Sequence, residues 1–139
     1  MRNENNHRIL PHVSVIVVNW NGAKVITECL DTLLAQTYKN MAIIVVDNGS
    51  SDKSLDILSK YKDIHIIKEK DNLGFAGGNN IGFDYVRSKL NSDYIALLNN
   101  DTKVDSRWLE ELVLCGQTYP DFGTIGSKVF LHNKPNTLH

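Results

Sequence analysis

The sequence predicts an α/β fold in which a mostly parallel sheet is flanked by helices. Two segments, 13–19 (VSVIVVN) and 41–47 (MAIIVVD), are almost continuously apolar and β-branched, a pattern typical of strands covered on both faces. Segments with helical periodicity alternate with such strands, and this alternation implies right-handed crossovers between parallel strands. A chain of 139 residues with 42% hydrophobic content can bury the core of one domain.

Each element follows from hydrophobic spacing and from the turn residues that bound it. The glycine-rich segment 69–82 is predicted to form a turn that runs into a helix. Ser51 or Asp52 is predicted to cap the second helix, and Asp105 the fourth, which Gly116 would end. The predicted elements are strand 13–19, helix 25–34, strand 41–47, helix 55–61, strand 64–68, helix 83–90, strand 93–99, helix 108–115 and strand 123–131.

Composition narrows the function classes. A net charge of −1 gives no basic surface, so we expect no nucleic-acid partner. The longest apolar runs are strand-sized and far shorter than a membrane span. Residues 1–11 form a polar tail without the apolar run of a signal peptide, which leaves 12–139 as the folded part. Cys29 and Cys115 are predicted to be buried free thiols, which favours a cytoplasmic location.

Polar side chains stand where three of the predicted strands end. The first strand ends with Asn19, the second with Asp47, and the fourth with the triplet Asn99, Asn100 and Asp101. Ligands of open parallel sheets lie beyond the carboxyl ends of the strands. Acidic and amide side chains clustered there can hold a divalent cation and polar ligand groups. The sequence therefore predicts one shared crevice along this edge of the sheet.

Simpler structural roles compete with this interpretation. Asp47 could close an Asx turn, or could accept a phosphoryl group as in a receiver domain, although receivers carry an acidic pair where this chain has Asn19. Gly74, Gly77 and Gly78 could serve tight turns and close helix packing, or could let the backbone approach a ligand. The chain has neither G-x-G-x-x-G after its first strand nor a phosphate-binding P-loop.

The order and spacing of the polar clusters are more specific than any one of them. Segments 18–22 (VNWNG), 45–52 (VVDNGSSD), 72–82 (NLGFAGGNNIG) and 97–101 (LLNND) follow one another at intervals of about one βα unit or less. Together they resemble the nucleotide-sugar half of the family 2 inverting glycosyltransferases, and more narrowly its rhamnosyltransferase-like branch. The resemblance covers 13–139 and implies a truncated fold of the nucleotide-diphospho-sugar transferase (GT-A) type, with 12–139 as the nucleotide-sugar-binding half of a catalytic domain.

The resemblance also implies an activity and a site. The activity would be transfer of a sugar from a dTDP- or UDP-linked donor to a hydroxyl acceptor with inversion, in bacterial cell-surface polysaccharide synthesis. Asp47 would accept a hydrogen bond from the pyrimidine N–H, and Asp101 would coordinate Mg²⁺ or Mn²⁺ on the diphosphate. The implied nucleotide-sugar-binding residues are Asn19, Trp20, Asp47, Asn72, Asn79, Asn80, Asn99, Asn100 and Asp101.

The chain departs from the family pattern in two places. Asn99 replaces the first aspartate of the D-x-D motif, which removes one formal charge and predicts weak cation binding without nucleotide. Asn79 stands where many relatives carry an arginine, which weakens the expected contacts with the diphosphate or the base.

The general base of the family lies beyond the D-x-D strand, and we expect it beyond His139. The chain alone is therefore predicted to be incompetent in transfer. A non-catalytic nucleotide-sugar-binding or interaction module is the alternative function. We also expect peripheral membrane association of the full protein, and self-association through an apolar face near 125–131.

Overall fold

The computed structural model describes residues 10–131 and 134–138, so most of the predicted tail 1–11 lies outside the described residues. The secondary structure confirms the predicted alternation of strands and helices. The elements are β1 (Val13–Asn19), α1 (Ile26–Leu34), β2 (Met41–Asn48), α2 (Ser54–Leu58), β3 (His65–Glu69), α3 (Gly74–Lys89), β4 (Tyr94–Asn99), α4 (Trp108–Thr118), β5 (Phe130–Leu131) and β6 (Lys134–Leu138).

The main sheet has four parallel strands in the order β3-β2-β1-β4. In the register of β1, Asn19 lies opposite Asp47 of β2, and Val18 lies opposite Asn99 of β4. Since all four strands run the same way, their carboxyl ends meet at one edge of the sheet. The fold therefore brings together the three strand ends that the sequence singled out.

Both faces of the sheet are covered, as the continuous apolar strands predicted. Val15 and Val17 of β1 pack in one buried layer with residues of α1, α2 and α4, whereas Ile16 packs in a second layer with Val86 of α3. Cys29 is buried in the first layer, and Cys29 and Cys115 are both free. No helix of the described residues is long and apolar enough to cross a bilayer.

The glycines of α3 set how closely this helix lies on the sheet. A Cβ at Gly78 would stand 2.6 Å from Val18 Cγ1, and one at Gly82 would stand 2.6 Å from Ile16 Cγ2. Both distances are too short for real contacts, so only glycine allows α3 to pack this closely on β1. Of the two interpretations of the glycine-rich segment, close helix packing accounts for Gly78.

Three local predictions were wrong. The glycine-rich segment was predicted to be a turn before a helix at 83–90, but α3 already begins at Gly74. Gly77 and Gly78 lie within this helix, close to the side chains of Leu73 and Val18. Gly116 does not end α4, which continues to Thr118 with Gly116 packed near the ring of Tyr94. Segment 123–131 adds no strand to the main sheet. Only Phe130–Leu131 is extended there, and it pairs antiparallel with β6, since the glycines at 123 and 126 weaken a longer strand.

The strand β4 is the outer strand of the main sheet on one side and exposes apolar side chains. Ile95 is 39% exposed and Leu97 is 44% exposed. A groove of about 780 Å³ lies between β4, α4 and segment 120–129. None of the predicted site residues lines this groove, so the groove and the polar strand ends are separate features.

Candidate functional site

The site begins with a chain of side-chain hydrogen bonds across the ends of three strands. Asn100 Nδ2 donates to Asn19 Oδ1 at 2.9 Å, and Asn19 Nδ2 donates to Asp47 Oδ2 at 3.0 Å. Asn19 Nδ2 also lies 3.3 Å from Ser50 Oγ. These bonds connect the loop after β4, the end of β1 and the loop after β2. We call the chain Asn100–Asn19–Asp47 the amide relay.

Asp47 lies under the surface of the site rather than on it. Its side chain is 1% exposed, and its Oδ1 accepts from the backbone amide of Ser50 at 3.1 Å while Oδ2 accepts from Asn19. The carboxylate thus closes the turn after β2, as the simpler structural interpretation predicted. Such burial leaves no access for phosphoryl transfer, so the receiver interpretation is not supported. Contact between Asp47 and a base would require the loop above it to move.

The loop after β1 is held against the loop after β2 by Asn21, which sequence reasoning missed. Asn21 has a positive φ of 50°, and its backbone N–H donates to Ser50 Oγ at 2.9 Å. Its Oδ1 accepts from the backbone amides of Ser51 at 2.8 Å and Asp52 at 3.3 Å. The Asn-Gly dipeptide at 21–22 was the available signal, because asparagine tolerates the left-handed region better than most residues.

Asp52 rather than Ser51 prepares the start of α2. Its Oδ1 accepts from the amide of Ser54 at 2.9 Å, and its Oδ2 accepts from the amide of Ala23 at 3.0 Å. One carboxylate therefore joins both loops. Neither predicted capping residue is the N-cap of α2, which is Lys53 and has no side-chain cap hydrogen bond.

The predicted wall from 72–80 is more structural than expected. Asn48, which sequence reasoning did not single out, donates to Asn72 Oδ1 at 2.9 Å and accepts from the amide of Leu73 at 3.1 Å. Asn79 is 5% exposed and donates to the carbonyl of Phe75 at 2.9 Å, within its own helix. Asn80 is exposed. Of these amides, Asn72 and Asn80 remain at the surface, whereas Asn79 supports the beginning of α3.

The loop after β4 is a tight turn that carries the predicted cation ligand. The amide of Thr102 donates to the carbonyl of Asn99 at 3.2 Å and closes the turn. Asn99 and Asp101 are exposed, while Asn100 is directed into the amide relay. Burial first, and then the charge of Asp101, raises the pKa of the neighbouring Cys29 to about 12, so this thiol stays protonated at neutral pH.

The oxygen donors of this turn suit a hard cation that shares its ligands with a nucleotide. Asp101 offers a carboxylate and Asn99 a carboxamide oxygen, which are ligand types of Mg²⁺ and Mn²⁺. The described residues contain no group of three or more His, Cys, Asp or Glu side chains placed to hold a metal. A cation bound here would therefore need further ligands from a bound diphosphate, in agreement with the charge lost at Asn99.

Exposed apolar side chains stand next to these polar groups in the sequence. Trp20 follows β1 and is 54% exposed, and Leu73 and Phe75, at the start of α3, are 53% and 61% exposed. Large apolar side chains at the surface beside polar ones are common in binding sites. Trp20 is thus free to contact a ligand in the place that the sequence predicted.

Comparisons with known proteins agree with this arrangement. A family model described as glycosyl transferase family 2 matches residues 14–126. An uncharacterized glycosyltransferase of Haemophilus influenzae is 37% identical over 107 residues, which are 74% of this chain and 32% of that protein. The glucosyltransferase WfaP of Escherichia coli, described as UDP-Glc:alpha-D-GlcNAc-diphosphoundecaprenol beta-1,3-glucosyltransferase, is 37% identical over 91 residues, 64% of this chain and 35% of the enzyme.

Solved structures show the same fold. Staphylococcus aureus TarS 1-349 in complex with UDP-GlcNAc matches with a TM-score of 0.70 and 21% identity, over 88% of this chain and 41% of that one. The mannosyltransferase PcManGT of Pyrobaculum calidifontis, in complex with GDP-Man and Mn²⁺, matches with a TM-score of 0.67 and 24% identity, over 87% of this chain and 36% of that one. The predicted GT-A type fold is confirmed, and the chain spans well under half the length of these proteins.

Proposed function

Because the chain belongs to glycosyl transferase family 2, we propose that residues 12–139 are the donor-binding part of a glycosyltransferase. The transferase would move a sugar from a nucleotide diphosphate donor to a hydroxyl with inversion. The observation that carries the proposal is the meeting of three strand ends, where the buried amide relay lies beside the exposed Asp101. WfaP is named for UDP-Glc, and the TarS and PcManGT structures contain UDP-GlcNAc and GDP-Man. All three are nucleotide sugars, which supports this substrate class.

The donor would lie across the strand ends, with its base towards the loops after β1 and β2 and its diphosphate towards the turn 99–102. Trp20 would contact the nucleoside through its exposed ring. Asn72 and Asn80 are the exposed amides of the adjacent wall. We propose a UDP- or dTDP-linked donor, as the sequence predicted. WfaP is named for UDP-Glc and the TarS structure contains UDP-GlcNAc, which supports a pyrimidine nucleotide. The rhamnosyltransferase-like branch belongs to the same proposal.

Asp101 and Asn99 would hold Mg²⁺ or Mn²⁺ together with the diphosphate. A cation bound there supplies positive charge beside the leaving nucleoside diphosphate. The role of Asp101 would be to offer its carboxylate at the surface, on a backbone that the closed turn holds in place. The presence of Mn²⁺ with GDP-Man in the PcManGT structure supports this assignment.

We propose that the general base lies outside the described residues. Most acidic side chains that follow Asp101 already have structural partners. The Asp105 carboxylate accepts from the amide of Arg107 at 2.9 Å, Glu111 pairs with the same arginine, and Glu110 accepts from Thr37 at 3.0 Å. A positioned base contributes about 10²–10⁴-fold to such reactions. The chain by itself should therefore bind the donor and allow slow hydrolysis, but not transfer the sugar at enzymatic rates.

Isothermal titration calorimetry with UDP, dTDP and GDP, each with and without Mn²⁺, tests the donor proposal. We expect UDP or dTDP to bind more tightly when Mn²⁺ is present. The absence of binding by all three nucleotides would overturn the proposal. A non-catalytic nucleotide-sugar-binding module remains the second candidate, because three of the four described acidic residues after Asp101 already have structural partners. An assay of the full protein distinguishes the two candidates. A binding module would bind the donor without hydrolysing it or transferring its sugar, whereas a transferase would do one or both.

The wider setting is also a proposal. WfaP is named for a lipid-linked diphosphoundecaprenol acceptor, which supports a role in bacterial cell-surface polysaccharide synthesis at the cytoplasmic face of a membrane. Peripheral membrane association of the full protein would bring such an acceptor to the site. Fractionation of cells that express the full protein, with and without a high-salt wash, measures this association.

A further inference from the structure

We infer that Asn19 is a positioning residue that couples cation binding at the turn 99–102 to nucleoside binding at the loops after β1 and β2. The inference rests on the proposed function and goes beyond it, because it assigns a positioning role to a residue that lies beneath the surface of the site. Asn19 is fully buried at the end of an inner strand, and both ends of its amide are engaged.

The direction of the amide relay is set by chemistry. An ionised carboxylate only accepts hydrogen bonds, so Asn19 must present its NH₂ to Asp47. Its Oδ1 then faces the other way and must find a donor, which is the NH₂ of Asn100 at 2.9 Å. Asn100 is therefore oriented with its NH₂ towards Asn19, and its Oδ1 takes no part in the relay. The buried Asp47 thus determines which end of the Asn100 amide faces Asn19.

The same relay reaches the nucleoside side. Asp47 accepts from the amide of Ser50, and Ser50 Oγ accepts from the amide of Asn21 beside Trp20. A cation that orders the turn through Asp101 would strengthen the bond from Asn100, and this bond would fix Asn19 and the two loops behind it. Because coupling between two sites is reciprocal, a bound nucleoside would likewise favour the cation.

Gly22 supplies an independent observation. A Cβ at Gly22 would lie 2.2 Å from Asn19 Oδ1 and 2.4 Å from Asn100 Nδ2, so it would occupy the space of the two bonded atoms. The backbone of the loop after β1 covers the hydrogen bond between the turn and β1. Gly22→Ala therefore breaks the relay without altering a side chain that could bind a ligand. Gly126→Ala is the matched control, because a Cβ there meets nothing within 4 Å.

The experiment measures uridine affinity by calorimetry with and without saturating Mg²⁺ and inorganic pyrophosphate. Pyrophosphate supplies the diphosphate oxygens that the cation needs as further ligands, while uridine itself carries no diphosphate through which the cation could act directly. In the parent we expect Mg²⁺ with pyrophosphate to tighten uridine binding about 2- to 12-fold, the range that corresponds to one hydrogen bond. In Asn100→Ala and in Gly22→Ala the ratio should fall to about one. Gly126→Ala should keep the parent ratio. Circular dichroism and urea unfolding verify that each variant is folded.

The double variant Gly22→Ala/Asn100→Ala adds a test that does not depend on the size of either effect. If both changes break the same link, the double variant should show the same ratio as Asn100→Ala alone. A parent in which Mg²⁺ with pyrophosphate leaves uridine affinity unchanged would overturn the coupling, and so would an Asn100→Ala variant that keeps the parent ratio. If UDP still binds with a cation dependence, the proposed donor site stands and only the coupling fails. If UDP does not bind at all, both proposals fail.

Discussion

Replacement of Asp47 by asparagine tests the interior of the site, because the buried carboxylate has a different donor on each oxygen. Oδ1 accepts from the amide of Ser50 at 3.1 Å, and Oδ2 accepts from Asn19 Nδ2 at 3.0 Å. Asparagine keeps the shape but exchanges one acceptor for an NH₂ group. Whichever way the new amide turns, its NH₂ faces a donor, so one buried bond is lost in either orientation.

The expected loss of stability follows from the loss of one buried hydrogen bond. A hydrogen bond to a charged group contributes about 1.5–3 kcal/mol, and a buried donor left without an acceptor costs about 1–3 kcal/mol. These figures describe the same event and are not added. We expect the free energy of unfolding of Asp47→Asn to fall by about 1.5–3 kcal/mol. If the same bonds hold the nucleotide pocket in shape, the affinity for UDP should fall about ten- to a hundredfold.

Urea unfolding and UDP calorimetry measure these two effects separately. Asp121→Asn is the matched control, because Asp121 is exposed in the loop after α4 and surface changes of this kind stay within about 0.5 kcal/mol. A folded Asp47→Asn variant with the parent's free energy of unfolding would show that the described bonds do not hold the loop. A variant that is less stable but binds UDP as the parent does would separate Asp47 from nucleotide binding altogether.

The strand and helix order was predictable from the sequence because both faces of the sheet are covered. Continuous apolar runs and helical spacing then report burial directly, as β1 and α1 do. Segment 123–131 was mispredicted for the opposite reason. Its apolar residues are largely exposed beside the groove, and pairing with β6 rather than with β4 depends on tertiary contacts that hydrophobicity does not encode.

The candidate site was predictable as a location but not as a set of contacts. Strand ends identified Asn19, Asp47 and Asp101, because parallel strands end at one edge. The sequence could not show that Asp47 is buried, since its two hydrogen-bond partners depend on register and loop conformation. Asn48 was missed because the functional prediction was assigned to the charged neighbour Asp47. The hydrogen-bond partners of Asn48 also lie 24 or more residues away in the chain.

Three further predictions follow from the exposed turn, the packing of α3 and the outer strand. Asp101→Ala should abolish the Mn²⁺-dependent part of UDP binding in calorimetry and leave uridine affinity without metal unchanged. Asn99→Asp should instead strengthen cation binding, because it restores a carboxylate. If Asp101→Ala binds UDP with the same Mn²⁺ dependence as the parent, Asp101 is a turn residue and not a cation ligand. Gly78→Ala should lower the free energy of unfolding by about 1–3 kcal/mol in urea titrations, because the new methyl group would lie 2.6 Å from Val18 Cγ1; an unchanged midpoint would contradict the close packing of α3. The self-association predicted for the apolar face near 125–131 should include β4, because Leu97 lines the same groove as residues 125–127. The sequence YIALLN of β4 carries no charge, and Leu97 is 44% exposed on this outer strand. Uncharged, unprotected outer strands offer unpaired backbone groups to another chain, and natural proteins block them most often with lysine. Leu97→Lys should therefore shift sedimentation from dimer or larger species to monomer while UDP affinity stays the same, and a parent that is monomeric across the micromolar range would refute the association.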